Sequence, residues 1–264
     1  MSLTKQAQEL EVILRKSFPK CEKFDIIGFS LGARIALATI ASFPTLIRKA
    51  HLTGVGIDRS PWAKIIIHSW KEILQSGIKI KNISDGSDSD NDDINILYSS
   101  SLKAFAWSII MATYSQEFLS SNGADKISTW VHHICENNNP IGLFQLLEQT
   151  HGDATPSSSF PPNNINENDN NYYTKNNEMR EIVQQIMENN DIYGYSKSDL
   201  TRGQIHMGEV DEISTVAQAR ELNSLIGWSD RNDSDIIMYK RCGHAVMNEA
   251  GRTWRKSVIE YLNT

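Results

Sequence analysis

The sequence predicts an α/β protein: a partial parallel sheet flanked by helices and interrupted by a large helical insertion. Three observations carry this. Residues 1–59 and 201–264 alternate strand-like with helix-like segments, the pattern of parallel strands with helices on both faces. Residues 60–200 favour helix and contain no clear strand. Between the first strand and the helix after it stands Gly28-Phe29-Ser30-Leu31-Gly32, a Gly-x-Ser-x-Gly turn. A serine on such a strand-to-helix turn is forced into strained backbone angles that push its hydroxyl outward.

In chain order, Met1 to Lys16 sets Leu3, Ala7, Leu10 and Leu14 among charges, one face of an amphipathic helix and not a signal peptide. Phe24 to Ile27 reads as a short buried strand and Ala33 to Ala41 as a buried helix. The glycines at 28 and 32 are expected to let that strand and helix approach each other. Lys49 to Val55 reads as a second strand ending in glycines. In the insertion, Trp62 to Gln75, Leu102 to Ser120, Lys126 to Cys135, Ile141 to Gln149 and Glu178 to Asn189 favour helix. Two polar tracts, Ser84 to Asn95 and the Asn-rich Thr155 to Asn177, cannot bury enough apolar area to offset their ordering entropy and are expected to be loose surface insertions. Gln204 to Gly208 reads as a third strand, Thr215 to Ile226 as a helix, and Asp235 to Tyr239 as a fourth strand. A closing amphipathic helix carries Trp254, Val258, Ile259 and Leu262 on one side.

With 264 residues, 40% of them hydrophobic, the chain can bury the core of one large domain. A net charge of −6 with scattered basic residues argues against nucleic acid. No apolar stretch approaches the ~20 residues that span a bilayer. Cys21, Cys135 and Cys242 lie far apart without metal-ligand spacing, so reduced thiols, a cytoplasmic location, no metal and no cofactor are expected. An organelle address upstream of Met1 is left open.

A nucleophilic serine needs a base to take its proton and an acid to orient that base. Cys242-Gly243-His244-Ala245 follows the fourth strand, and Gly208-Glu209-Val210-Asp211 follows the third, so an imidazole and a carboxylate both fall at strand ends. Glu209 and Glu212 compete with Asp211. Of the other histidines, His51 and His206 fall within strands, His68, His132 and His133 on helices, and His151 beside the polar tract. These are read as packing or surface residues.

With Gly28-Phe29-Ser30-Leu31-Gly32, Gly208-Glu209-Val210-Asp211 and Gly243-His244 in this order, the chain resembles the α/β-hydrolase superfamily over roughly 1–59 and 201–264. The resemblance implies that 60–200 is a helical cap. It implies Ser30 as nucleophile, His244 as general base, Asp211 as orienting acid and the Leu31 backbone N–H as an oxyanion donor. Asp211 is favoured over its rivals because it holds the last place of Gly-x-x-Asp. Phe29 stands where the superfamily often has His and is expected to line the site. Thr215 stands where proline is common, an expected loss of rigidity.

The superfamily usually places further strands ahead of the elbow strand, and a loop after one of them supplies a second oxyanion N–H. Here one helix precedes the elbow, leaving Phe24 to Ile27 as an expected sheet edge. Either the chain is N-terminally incomplete, or a second copy or another sheet-edge partner completes it. The expected activity is a serine hydrolase cleaving a carboxylic ester or small acyl substrate through an acyl-enzyme. The alternatives are a C–C bond hydrolase, lyase or acyltransferase on the same fold, or an inactive or partner-dependent protein.

Overall fold

The structure, a computed structural model, describes residues 2–84, 91–150, 178–192, 201–228 and 236–264. Four strands, β1 (Phe24–Phe29), β2 (Ile47–Thr53), β3 (Arg202–Gly208) and β4 (Ile237–Tyr239), form one sheet in the order β1-β2-β3-β4. Every pairing is parallel, with Ile27 opposite His51, His51 opposite Gln204 and His206 opposite Ile237. All four strands therefore end on the same side of the sheet, and the loops leaving those ends share one rim.

Apolar periodicity sets the helices that cover the sheet. α1 (Leu3–Ser17) starts at Ser2, whose hydroxyl accepts from the Lys5 N–H at 3.2 Å, a cap for the first turn. It packs on α2 (Leu31–Ser42), in which Ala33, Ala36, Leu37, Ala38, Ile40 and Ala41 are buried. That helix is apolar nearly all round because it lies among β1, α1 and α8 (Glu178–Ile192). Leu37 is fully buried, and burial of that kind contributes about 1.5–3 kcal/mol.

The placement of α8 corrects the expected extent of the insertion. Its Met179, Ile182, Val183 and Ile186 belong to the same core cluster as the sheet residues Ile47, Leu52, Ile205 and Met207. Asn189 donates to the Ala41 carbonyl at 2.8 Å, tying α8 to the end of α2. The apolar stripe of an amphipathic helix does not itself say which neighbour buries it.

Between β2 and α8 the chain is helical: α3 (Pro61–Ser84), α4 (Asn91–Thr113), α5 (Gln116–Asn122), α6 (Ala124–Asn137) and α7 (Pro140–Thr150). Ser60 caps α3 through the Ala63 N–H at 3.0 Å, and Pro61 takes the first helical place, where no donor is lost. α3 and α4 pack through Ala63, Ile67, Trp70, Leu74, Leu102 and Phe105; Ala106, Ile110, Ile127 and Val131 join α4 to α6. The expected single helix from Leu102 to Ser120 is broken at Tyr114-Ser115, where Ser115 caps α5 through the Phe118 N–H at 3.2 Å. The expected loose tract at Ser84 to Asn95 is also corrected in part, since Ser84 closes α3 and Asn91 to Asn95 open α4. The Thr155 to Asn177 tract lies outside the described residues.

The chain closes with α9 (Val216–Leu225) after β3, and with α10 (Val246–Glu249) and α11 (Gly251–Asn263) after β4. Thr215, expected to loosen its loop, instead forms a capping box with Gln218 at the start of α9. On α11 the buried residues are Val258 and Tyr261, while Ile259 is 59% exposed and does not share the apolar side expected of it. Lys49, buried on β2, donates to the Tyr261 and Leu262 carbonyls at 3.1 and 3.0 Å and satisfies the last turn of α11. No helix among the described residues is long and apolar enough to cross a membrane.

Candidate active site

Ser30 sits between β1 and α2 with φ 50° and ψ −114°, a left-handed φ that costs a residue with a Cβ energy. The strain is held by hydrogen bonds: the Ser30 N–H donates to the Thr53 carbonyl at 2.9 Å, and the Ser30 carbonyl accepts from Arg34 N–H at 3.2 Å. Gly28 is required, since a Cβ there would lie 2.6 Å from the Ala33 Cα. Gly32 is different: a Cβ there meets nothing within 4 Å, so the expected close approach involves Gly28 alone.

Three side chains converge at the rim. The Ser30 hydroxyl donates to His244 Nε2 at 2.9 Å, and His244 Nδ1–H donates to Asp211 Oδ2 at 2.8 Å. The other carboxylate oxygen, Oδ1, accepts from the backbone N–H of Ile213 and of Ser214, both at 2.9 Å, so the Asp211 side chain cannot turn away from the imidazole. Ser214 Oγ in turn donates to the Gly54 carbonyl at 3.1 Å, fastening this loop to the end of β2. His244 is 3% exposed and Asp211 5% exposed, so water competes little for these bonds.

The rival carboxylates have other partners. Glu209 accepts from the Arg241 N–H at 3.0 Å, and Glu212 accepts from Trp62 Nε1–H at 2.8 Å. The Leu31 N–H is at the first position of α2, one of the donors a helix start leaves without an intrahelical acceptor. The Phe29 ring packs beside the His244 ring, centroids 5.1 Å apart, and faces the same cavity.

The His244 loop is held by residues that sequence reading passed over. Glu249 accepts from the Gly243 N–H at 2.8 Å, from the Ser115 N–H at 3.2 Å and from the Ser115 hydroxyl. The Ala245 N–H donates to the Thr113 carbonyl at 3.0 Å. The break between α4 and α5 frees these backbone groups to hold the loop. Cys242 is buried beside Glu249, and both effects push its thiol up to about 11.

Ser30 and His244 open onto a cavity of about 1330 Å³. Its apolar wall comes from Ile67 and Trp70 of α3, Ile109 of α4, Phe118 of α5 and Trp130 of α6, with Trp254 of α11 also lining it. His133, read from sequence as a surface or packing residue, also faces it. Helical spacing places an aromatic on a face; only the docked helices reveal that the face is turned to the cavity. No cluster of three or more potential metal ligands occurs among the described residues.

This architecture is the α/β-hydrolase fold, with the serine, carboxylate and imidazole in the loops after β1, β3 and β4. The whole chain superposes on 73% of an α/β hydrolase from a Medee basin deep-sea metagenome library, with a TM-score of 0.67 and 17% identity. It also superposes on 72% of a thermophilic esterase from Thermogutta terrifontis, with a TM-score of 0.60 and 12% identity. With a homoserine O-acetyltransferase from Staphylococcus aureus the TM-score is 0.62 at 13% identity, covering 65% of that chain. In sequence, 57 residues, 22% of this chain, are 35% identical to 15% of a "Probable alcohol acetyltransferase" of Cyberlindnera fabianii. Another 139-residue match, 52% of this chain, is 21% identical to 43% of a pyrrolizixenacetamide deacetylase of Xenorhabdus hominickii. The chain thus spans less than half the length of these curated relatives. No family model matches the sequence.

Proposed function

We propose that this protein is a serine hydrolase that cleaves a carboxylic ester or related small acyl compound through an acyl-enzyme. The observation that carries the reading is the unbroken hydrogen-bond chain from Ser30 Oγ through His244 to Asp211. In this reading His244 Nε2 takes the hydroxyl proton as Ser30 Oγ attacks the acyl carbon. Asp211 holds the imidazole in the tautomer that leaves Nε2 free to accept, and stabilises the imidazolium that forms. The Leu31 N–H and the start of α2 stabilise the developing oxyanion. His244 then returns the proton to the leaving alcohol, and a water activated by the same imidazole releases the acid. The α3–α7 helices act as a cap that supplies the apolar wall of the cavity.

A second reading is favoured by the acetyltransferases among the similar proteins: the same acyl-enzyme is discharged to an alcohol instead of water. One experiment separates the two and tests the first. The full chain is treated with a fluorophosphonate, then assayed on a short-chain 4-nitrophenyl ester with and without added alcohol. Stoichiometric labelling at Ser30, and a loss of roughly 10⁴-fold or more in turnover for Ser30→Ala, are expected. Hydrolysis that survives in Ser30→Ala would overturn the assignment, and product partitioning toward the new ester would favour transfer.

A further inference from the structure

The cavity beside Ser30 is cationic, although the chain carries a net charge of −6. Among the described residues lining it are Arg34, Arg59, Lys126 and Arg255, and no aspartate or glutamate. Lys126 and Arg255 are exposed at the rim, whereas Arg34 and Arg59 are partly buried inside. Arg34 is four residues beyond Ser30, and its N–H donates to the Ser30 carbonyl, so both lie on one face of α2. Helical side chains lean back toward the preceding turn, and Arg34 lines the same cavity as Ser30.

Arg34 lacks a counter-charge of its own. Its guanidinium makes no hydrogen bond or ion pair with a described residue, and the carboxylate whose charge reaches it, Asp58, is already engaged. Asp58 accepts from the Arg59 N–H at 2.7 Å and pairs with Lys64 at 3.8 Å. Burial and the Arg59 guanidinium push Arg34 down to about 9, which leaves it charged at neutral pH and short of a partner. A partly buried guanidinium without an acceptor of its own is costly to hold, and an anion beside it offsets that cost.

We infer that Arg34 forms a subsite for an anionic group of the substrate, so that the acyl compound turned over at Ser30 carries a carboxylate or a similar oxyanion. This rests on the reading of Ser30 as nucleophile. A planar guanidinium matches a carboxylate with two parallel N–H···O bonds. The field of the cationic residues among the described lining also raises the local concentration of such a substrate.

Two matched ester pairs locate the anion. Mono-(4-nitrophenyl) glutarate against 4-nitrophenyl pentanoate places it on the acyl side; 4-acetoxybenzoate against phenyl acetate places it on the alcohol side. The expected result is a kcat/KM ratio favouring the anionic member of one pair by about tenfold or more, carried mainly by KM. Arg34→Met collapses that ratio, Arg34→Lys keeps most of it, and raised ionic strength weakens it. A ratio near one in both pairs, or a ratio unchanged in Arg34→Met, overturns the subsite. Binding of free glutarate to Ser30→Ala by calorimetry separates this from failure of the nucleophile assignment. Arg34-dependent binding without any serine turnover keeps the anion site and removes the esterase reading. Absence of glutarate binding in a chain that hydrolyses neutral esters does the reverse.

Discussion

The His244 imidazole passes across the bare Cα of Gly54: a Cβ there would lie 2.8 Å from the ring's Cε1 and 3.1 Å from Nδ1. Gly54 follows β2 with φ +65°, so the sequence needs glycine twice over, for the backbone angle and for the ring. Gly54→Ala is expected to push His244 off the line between Ser30 and Asp211. A shift of about 1 Å costs on the order of 10² in rate, while the left-handed backbone costs about 1–2 kcal/mol. Fluorophosphonate labelling rates beside urea denaturation check both, and an alanine variant labelled at the parent rate would show that the ring has room to spare.

Glu249 concentrates three donors on one carboxylate: the N–H of Gly243, the N–H of Ser115 and the Ser115 hydroxyl. Glu249→Ala leaves partly buried donors without an acceptor, for an expected loss of about 2–3 kcal/mol. Glu249→Gln retains one acceptor oxygen and is expected to lose less. Equilibrium unfolding of the two variants gives the order, and equal losses would mean that the carboxylate charge holds the loop and a single retained acceptor oxygen does not.

Beneath the site, the His51 and His206 rings lie against each other, tilted by 32° with centroids 3.8 Å apart, both fully buried. Neither nitrogen of His51 has a hydrogen-bond partner among the described residues, while His206 Nδ1 lies 2.9 Å from the Tyr239 hydroxyl. Burial lowers His51 to about 4; burial and then the neighbouring His51 lower His206 to about 2. Because both folded values lie below the unfolded value near 6.5, the unfolded chain takes up protons that the folded chain refuses. The stability they contribute is therefore present well above pH 6.5 and is lost as pH falls below it, through about 4 for His51 and on toward about 2 for His206. Urea denaturation between pH 7.5 and 5 measures the slope. His51→Leu should reduce it, and a slope indifferent to that substitution would assign the acid sensitivity elsewhere.

β1 pairs with β2 on one side and has no strand on its other side among the described residues. Ile27 on this edge is 50% exposed. Parallel edges of this kind are templates for further pairing. The 264-residue chain is expected to self-associate at micromolar concentration, and Ile27→Lys to lower the associated fraction. Light scattering across a dilution series decides this, and a monodisperse monomer for the parent chain would remove the edge as an association site.

Much of the site was readable from local signals, and where reading stopped has a physical cause. The elbow, Asp211 and His244 are found from turn chemistry after apolar runs, features confined to a few consecutive residues. Of the three carboxylates that compete in sequence, Asp211 meets the imidazole, while Glu209 and Glu212 meet Arg241 and Trp62. By contrast, the packing of α8 on the sheet core and the break at Ser115 leave no local signal. Each depends on a partner more than 100 residues away, Ala41 in one case and Glu249 in the other.

By itself the sequence determined the alternation of strands and helices, the strained serine turn and the order of serine, carboxylate and imidazole. All of these follow from periodicity and backbone sterics within short windows. Tertiary structure alone decided that Gly54 makes room for His244, that Glu249 pins the histidine loop, and that Arg34 and Arg59 face the cavity with Ser30. Those relationships come from which helix faces meet once the chain has collapsed. A helical period predicts that a face exists, and only packing of the whole chain selects what lies across from it.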